Sequence, residues 1–246
     1  MAHGHRLLLE SHPFFRSRVK AIAGLDPSPE AQTSMTKKGL FIASSMEDLL
    51  NVKDLHAVLI ASPPQFHAEQ AVAALEAGKH VYSEVPMALT AQEVEKIVAV
   101  EEKHPQLKYQ YGENYCFIAE VMYAGYLAST GKIGPTIYAE AEYLHDVTYR
   151  WRQHQRGSPS TPSVKSWYSL FDPLAYAHSI GPTQVALGGL KTPMEFTEVQ
   201  SYGNDIGALE VPDSPAICSP AYGFHVALFK TTTGAIAKCA NASYLS

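Results

Sequence analysis

AVLIASPPQFHAEQAVAALEAGKHVYSEVPMALT, residues 57–90, decides the fold. Residues 57–61 form a short apolar run, and the Ser62-Pro63-Pro64 step after it cannot continue a strand ladder. Residues 67–77 are rich in the good helix formers alanine and leucine. They stop at Gly78, the residue type that best tolerates a left-handed C-terminal cap. Residues 80–83 read as a second strand, so strand, helix and strand make a parallel crossover unit. The pattern extends both ways. Upstream lie candidate strands at 19–25 and 40–42. Downstream, Thr90 and Glu93 have capping-box spacing ahead of a helix whose apolar stripe is read as Val94, Ile97 and Val98, and residues 108–112 give a further strand. This alternation predicts an α/β fold with a doubly wound parallel sheet over residues 1–115.

Beyond Asn114 the period changes. A helix is expected around 118–129, then a long alternating strand at 136–146. Strands at 195–202, 223–229 and 235–240, the last two joined across Thr231-Thr232-Thr233-Gly234, complete a mainly antiparallel set. Residues 116–246 are therefore read as a second, α+β domain with an open sheet. The Ser-, Pro- and Gly-rich stretch 156–166 is expected to be a mobile loop.

Composition narrows the function. The 246 residues are 46% hydrophobic and 17% charged, as in an ordinary globular protein. A net charge of -5 with scattered lysines and arginines argues against nucleic acid and for a small-molecule partner. No apolar run approaches the roughly 20 residues that span a bilayer, and the apolar stretch near Met1 is too short for a signal segment, so no membrane partner and a cytoplasmic location are expected. Cys116, Cys218 and Cys239 are odd in number and widely spaced, which suits reduced core thiols. His145 and Asp146, adjacent on one strand, would face opposite sides, and His3, His5 and His12 read as helix-surface residues, so no metal site is predicted.

Four segments, in order, resemble the Gfo/Idh/MocA oxidoreductases, a family with an N-terminal Rossmann domain and a C-terminal open α/β sheet. In AIAGLDPSPE (21–30) the resemblance implies that Asp26 holds the adenosine ribose hydroxyls, favouring NAD over NADP. Alone, Asp26-Pro27-Ser28-Pro29 is equally a turn capping the next helix. Residues 57–90 follow the family's (S/T)-P-P-x-x-H, G-K-H-V and E-K-P pattern. The resemblance puts Ser62, Pro63 and His67 beside the dinucleotide and Glu84 and Pro86 beside the nicotinamide ribose, although an isolated His67 is more simply a helix-terminal or surface residue. The family's lysine before that proline is Val85 here, which can neither donate a proton nor carry charge. YGENYCF (111–117) places Asn114 near the expected nicotinamide amide, a position that an N-cap role also explains.

The fourth segment, FDPLAYAHSIGPTQVALGG (171–189), resembles the helix carrying the family's catalytic histidine, here His178. Many members place aspartates four residues before and three after it. These positions are Leu174 and Gly181, so no carboxylate from this helix orients the ring, and Tyr176 is the substitute, one residue later than in relatives with Tyr-x-x-His. A satisfied core histidine is the alternative reading of His178.

The resemblance implies NAD(P)-dependent hydride transfer between nicotinamide and a secondary alcohol of a sugar or cyclitol. Its base should titrate near neutral pH, which histidine does with an ordinary pKa of about 6.5. His145, Tyr149, Trp151 and Arg152, in YLHDVTYRWR (143–152), combine stacking surface with donors suited to a polyhydroxylated ring. Two alternatives stay open. Glu84-Val85-Pro86, Tyr143-Leu144-His145-Asp146 and the stretch from His178 to Pro182 also resemble an NAD-dependent glycosidase branch, which oxidises, eliminates, adds water and re-reduces with no net oxidation. Val85, Leu174 and Gly181 would suit a non-catalytic sugar- or nucleotide-binding relative. A homo-oligomer of the full-length protein is implied by resemblance. The first element read is a helix at 3–11 leading into the Asp26 strand. The Rossmann first strand and its Gly-x-Gly-x-x-Gly loop are therefore expected upstream of Met1, and closing elements after Ser246. On that expectation the chain is a fragment that binds NAD weakly or not at all.

Overall fold

The computed structural model describes residues 12–13, 21–26, 28–145, 177–203 and 224–242. They fall into two compact units divided between Gly112 and Glu113.

In the first unit, strands β1 (Ala23–Gly24), β2 (Phe41–Ile42), β3 (Ala57–Ile60), β4 (His80–Ser83) and β5 (Tyr109–Tyr111) alternate with helices α1 (Pro29–Lys37), α2 (Met46–Leu50), α3 (His67–Glu76) and α4 (Ala91–Lys103). All pairings are parallel: β1 with β2, and β3, β4 and β5 in that order. In a Rossmann sheet the first strand lies between the second and fourth. Among the described residues β1–β2 and β3–β4–β5 are separate parallel sets, with no strand bonding β1 to β3.

Local signals set the boundaries. Ser28 Oγ accepts the Ala31 N–H at 3.1 Å to cap α1, Thr90 and Glu93 form a reciprocal capping box on α4, and Gly78, with φ of 76°, turns the chain out of α3. Val58, Ile60 and Val81 of the sheet pack with Ala68, Ala71, Ala74 and Leu75 of α3 and with Ile97 and Val100 of α4. The α4 stripe differs from the expected one. Ile97 and Val100 point inward, whereas Val94 and Val98 are 37% and 41% exposed. At about 100° per residue Ile97 and Val100 lie together on the side that packs against α3, whereas Val94 and Val98 fall on the other side of Ile97, toward solvent.

The second unit begins with a 3-10 turn, Asn114–Phe117, and continues through α5 (Ala119–Ser129), β6 (Tyr138–Leu144), α6 (Ile180–Gly188), β7 (Phe196–Gly203), β8 (Phe224–Thr231) and β9 (Ile236–Ala242). The sheet runs β6-β9-β8-β7. The outer pair β6–β9 is parallel and the other two pairings are antiparallel, giving a mixed sheet with an antiparallel majority. β9 is its buried centre, with Ala237, Cys239, Ala240 and Asn241 fully covered. α6 packs on α5 and reaches β6 and β9. Among the described residues no helix is long and apolar enough to cross a membrane.

The two helices approach at Gly125. A Cβ built there would lie 2.3 Å from the Val185 carbonyl oxygen and 2.9 Å from Gly189 Cα. Both obstacles are backbone and cannot rotate aside. Gly125→Ala is expected to destabilise this unit by about 2–3 kcal/mol, read as a lower urea midpoint at unchanged slope. A midpoint equal to that of the parent would exclude the close crossing.

Candidate active site

Parallel strands bring their carboxyl ends to one edge, where open α/β sheets bind ligands. Asp26 follows β1. Its Oδ1 accepts the Ser28 N–H at 2.8 Å, so this carboxylate also shapes the turn into α1. Beyond β3, Ser62 Oγ donates to Gln70 Oε1 at 2.7 Å, and half-buried Pro63 leads into the 3-10 turn Pro64–Phe66. His67 is 1% exposed. Its Nδ1 lies 2.7 Å from the Pro86 carbonyl and its Nε2 2.8 Å from that of Ser62. It thus clamps the loops after β3 and β4 from inside; it is helix-terminal, as the first residue of α3, but not a surface residue. Glu84, 6% exposed, accepts the Val85 N–H on Oε2 at 3.3 Å. Val85 and Pro86 are buried, and the peptide between them is cis. Gly112 closes β5 against β4, where a Cβ would meet Ser83 O at 2.8 Å.

A carboxylate after β1, with hydroxyl, carboxylate and backbone groups after β3 and β4, could hold the ribose parts of a dinucleotide. Among the described residues no glycine-rich turn offers the successive N–H groups a pyrophosphate needs.

The second unit carries a separate constellation. Ala177 has a left-handed φ of 61°, and His178 sits in the turn before α6 rather than on the helix expected to bear it. The next residue anchors that turn. Ser179 is buried; its Oγ donates to Asn241 Oδ1, and its carbonyl accepts from Thr183 Oγ1 at 2.7 Å and Cys239 Sγ at 3.6 Å. From there the His178 ring meets Glu113, with Nδ1 2.8 Å from Oε2 and 2.9 Å from Oε1. The two side chains are 10% and 4% exposed. An ionised carboxylate only accepts, so Nδ1 donates, and the neutral ring carries its lone pair on Nε2. Glu113 is fixed in turn, its Oε1 accepting the Tyr115 N–H at 3.0 Å.

Aromatic rings wall this pair. Tyr115 lies with its centroid 4.8 Å from the His178 ring, and Tyr143 stands edge-on at 4.6 Å. The Tyr143 hydroxyl is 2.6 Å from His145 Nδ1. Two predicted residues, His145 and His178, therefore join one cluster through Tyr143. Asn114 is exposed and opens the 3-10 turn, so the capping role considered for it belongs to Glu113. Tyr149, Trp151, Arg152 and Tyr176 lie outside the described residues, as do Asp146, the stretch 156–166 and the expected helix at 3–11. Glu113 and Tyr143 were not foreseen as site residues. A signal for Glu113 existed: it is the one acid in the aromatic run YQYGENYCF (109–117).

Burial, and then the charge of Glu113, push the Cys116 thiol up to about 11 from an ordinary 9.0. At pH 8 the thiolate fraction then falls about 100-fold, so iodoacetamide should alkylate Cys116 about 100-fold more slowly than an ordinary thiol, as peptide mapping would read. The folded thiol holds its proton more tightly than the unfolded one. This contribution to stability is complete below pH 9 and is lost as pH rises from about 9 to 11. Alkylation at the ordinary rate would contradict the burial.

Residues 4–112 match the family model described as an oxidoreductase family with an NAD-binding Rossmann fold, Gfo/Idh/MocA. A glycosyl hydrolase family 109 protein of Shewanella pealeana is 30% identical over 174 residues, 67% of this chain and 38% of the relative. An alpha-N-acetylgalactosaminidase of Shewanella oneidensis is 30% identical over 141 residues, 56% of this chain and 30% of the relative. The chain thus spans under half the length of these curated relatives. Among solved structures, the WlbA dehydrogenase of Chromobacterium violaceum with NADH and UDP-GlcNAcA superposes with a TM-score of 0.75 at 18% identity, covering 99% of this chain and 64% of that one. Myo-inositol 2-dehydrogenase of Lactobacillus plantarum gives 0.70 at 19%, covering 97% and 66%. At these identities the structural likeness is one of fold. The first unit thus matches the NAD-binding Rossmann domain of the Gfo/Idh/MocA oxidoreductases, and the chain shares the fold of these dehydrogenases.

Proposed function

We propose that the protein is an NAD-dependent oxidoreductase acting on a secondary alcohol of a sugar or cyclitol, with His178 as general base. The observation that carries this reading is the His178 ring held through Nδ1 by the buried carboxylate of Glu113. When bound, the nicotinamide supplies the hydride acceptor. The side chains handle protons and position. Nε2 of His178 takes the hydroxyl proton, and the Glu113 charge offsets the positive charge the ring gains. With Val85 buried and unable to move a proton, the base role falls to His178. Asp26 receives the adenosine ribose hydroxyls and disfavours a 2′-phosphate, which selects NAD over NADP. Ser62, Pro63 and His67 border the dinucleotide, Glu84 and Pro86 lie beside the nicotinamide ribose, and Asn114 is near the amide. His145, Tyr149, Trp151 and Arg152 contact the sugar, and Tyr176 lies beside the base.

One observation favours a second reading, a glycosidase that oxidises transiently. Such a cycle needs another group to take the proton of the carbon next to the oxidised one, and Tyr143, bonded to His145 beside His178, is such a group. Similarity to family 109 glycosyl hydrolases supports the same reading. The test is to incubate the full-length protein and NAD with myo-inositol and with p-nitrophenyl α-N-acetylgalactosaminide, following NADH and nitrophenolate separately. NADH accumulating with the polyol is expected. Nitrophenolate without NADH would replace the oxidoreductase reading by the second, and neither signal would sink both.

A further inference from the structure

We propose that Glu113 is the positioning carboxylate of His178, and that the lack of a side chain at Gly181 is what admits it. The ring can be held from position 113 or from position 181, but not from both. This rests on the reading of His178 as the base.

Glu113 comes to the ring from 65 residues away in the chain and places both oxygens on one nitrogen. Burial protects the contact from water, and the Tyr115 N–H fixes the carboxylate from behind. Gly181 lies one turn beyond His178, in the first turn of α6. A Cβ built on it would stand 3.0 Å from Glu113 Cγ and 3.0 Å from Cys116 Sγ. The Glu113 atom it meets is a methylene near the backbone, not a movable tip. Relief of that contact must move Glu113 Cγ, and with it the carboxylate held on Nδ1. Position 181 is also where the family resembled above carries an aspartate, and residues three apart at a helix start are neighbours. The 3.0 Å contacts of a Cβ at 181 with Glu113 Cγ and Cys116 Sγ set the two positions in competition for the space beside the ring. The bond at Nδ1 decides which tautomer the ring adopts.

The tautomer can be read without any substrate. In histidine labelled with 15N, long-range proton–nitrogen correlations at a pH where the ring is neutral should show His178 with its hydrogen on Nδ1. Glu113→Gln keeps an acceptor of the same shape and should keep that tautomer. Glu113→Ala should lose it, and the double variant Glu113→Ala with Gly181→Asp should regain it. On the substrate found by the assay above, Glu113→Ala should lower kcat about 100-fold with KM little changed, and the double variant should recover part of that loss. An unchanged tautomer in Glu113→Ala would overturn the positioning role, and failure of the double variant to restore Nδ1–H would overturn the exchange. If the tautomer follows the variants as stated while no substrate is turned over, the functional reading fails and the positioning stands.

Discussion

Replacing His178 by asparagine is expected to lower kcat by about 100- to 10,000-fold, with KM close to that of the parent. The asparagine amide can still donate to Glu113, so the buried carboxylate keeps a partner. What is lost is an atom that can accept a proton. This separates the chemical role of the ring from its structural one, which alanine does not. His178→Ala strands an ionised Glu113 in a site where its side chain is 4% exposed, and breaking a buried pair in that way is itself destabilising. The measurement is steady-state turnover on the alcohol that gives NADH, beside a melting curve showing that the asparagine variant is folded. A folded variant with unchanged kcat would remove His178 from the chemistry. The cluster would then be a buried polar network, the core-histidine reading of this residue.

Much of the fold is legible because its signals are local. The apolar run at β3, Gly78 after α3 and the Thr90–Glu93 box each act within a few residues, and the structure bears out those elements. The stripe on α4 is less legible, because Val94, Ile97 and Val98 fall on one helical face, and the packing of α3, not periodicity, decides which side of Ile97 is buried. The candidate site was less legible. Asn114 is the stronger N-cap by type, which drew the reading away from its neighbour, yet the chain uses Glu113 as the cap and as the partner of a residue 65 positions away. Nothing in a local window announces such a pairing. Gly181 hid it further, since a helix read without its surroundings shows only the loss of an aspartate, and the carboxylate that replaces it enters from another element.

His67 tests whether the loops at the sheet edge depend on an internal clamp. Its ring touches two carbonyl oxygens, those of Ser62 and Pro86, at 2.8 and 2.7 Å inside a core that excludes water. In either neutral tautomer at least one of these contacts is a donated hydrogen bond. His67→Ala therefore removes a buried ring, leaves a cavity and strips a partner from loop carbonyls on both sides. Each term alone is worth one to a few kcal/mol. The expected loss is about 4 kcal/mol for the first unit, measured by urea unfolding with a probe in that unit. His67→Phe refills the volume without restoring a donor and should recover only the cavity part, about half. A loss below about 1 kcal/mol in the alanine variant would mean that the two loops hold their shape without the histidine. The comparison also bears on function. Ser62 is proposed to border the dinucleotide and Glu84 and Pro86 the nicotinamide ribose, and the clamp sets the distance between the loops that carry them. Dinucleotide affinity should therefore fall in both variants, including the phenylalanine one where about half the stability returns, because precise loop spacing needs the polar contacts of the ring with these carbonyls and not merely a filled core.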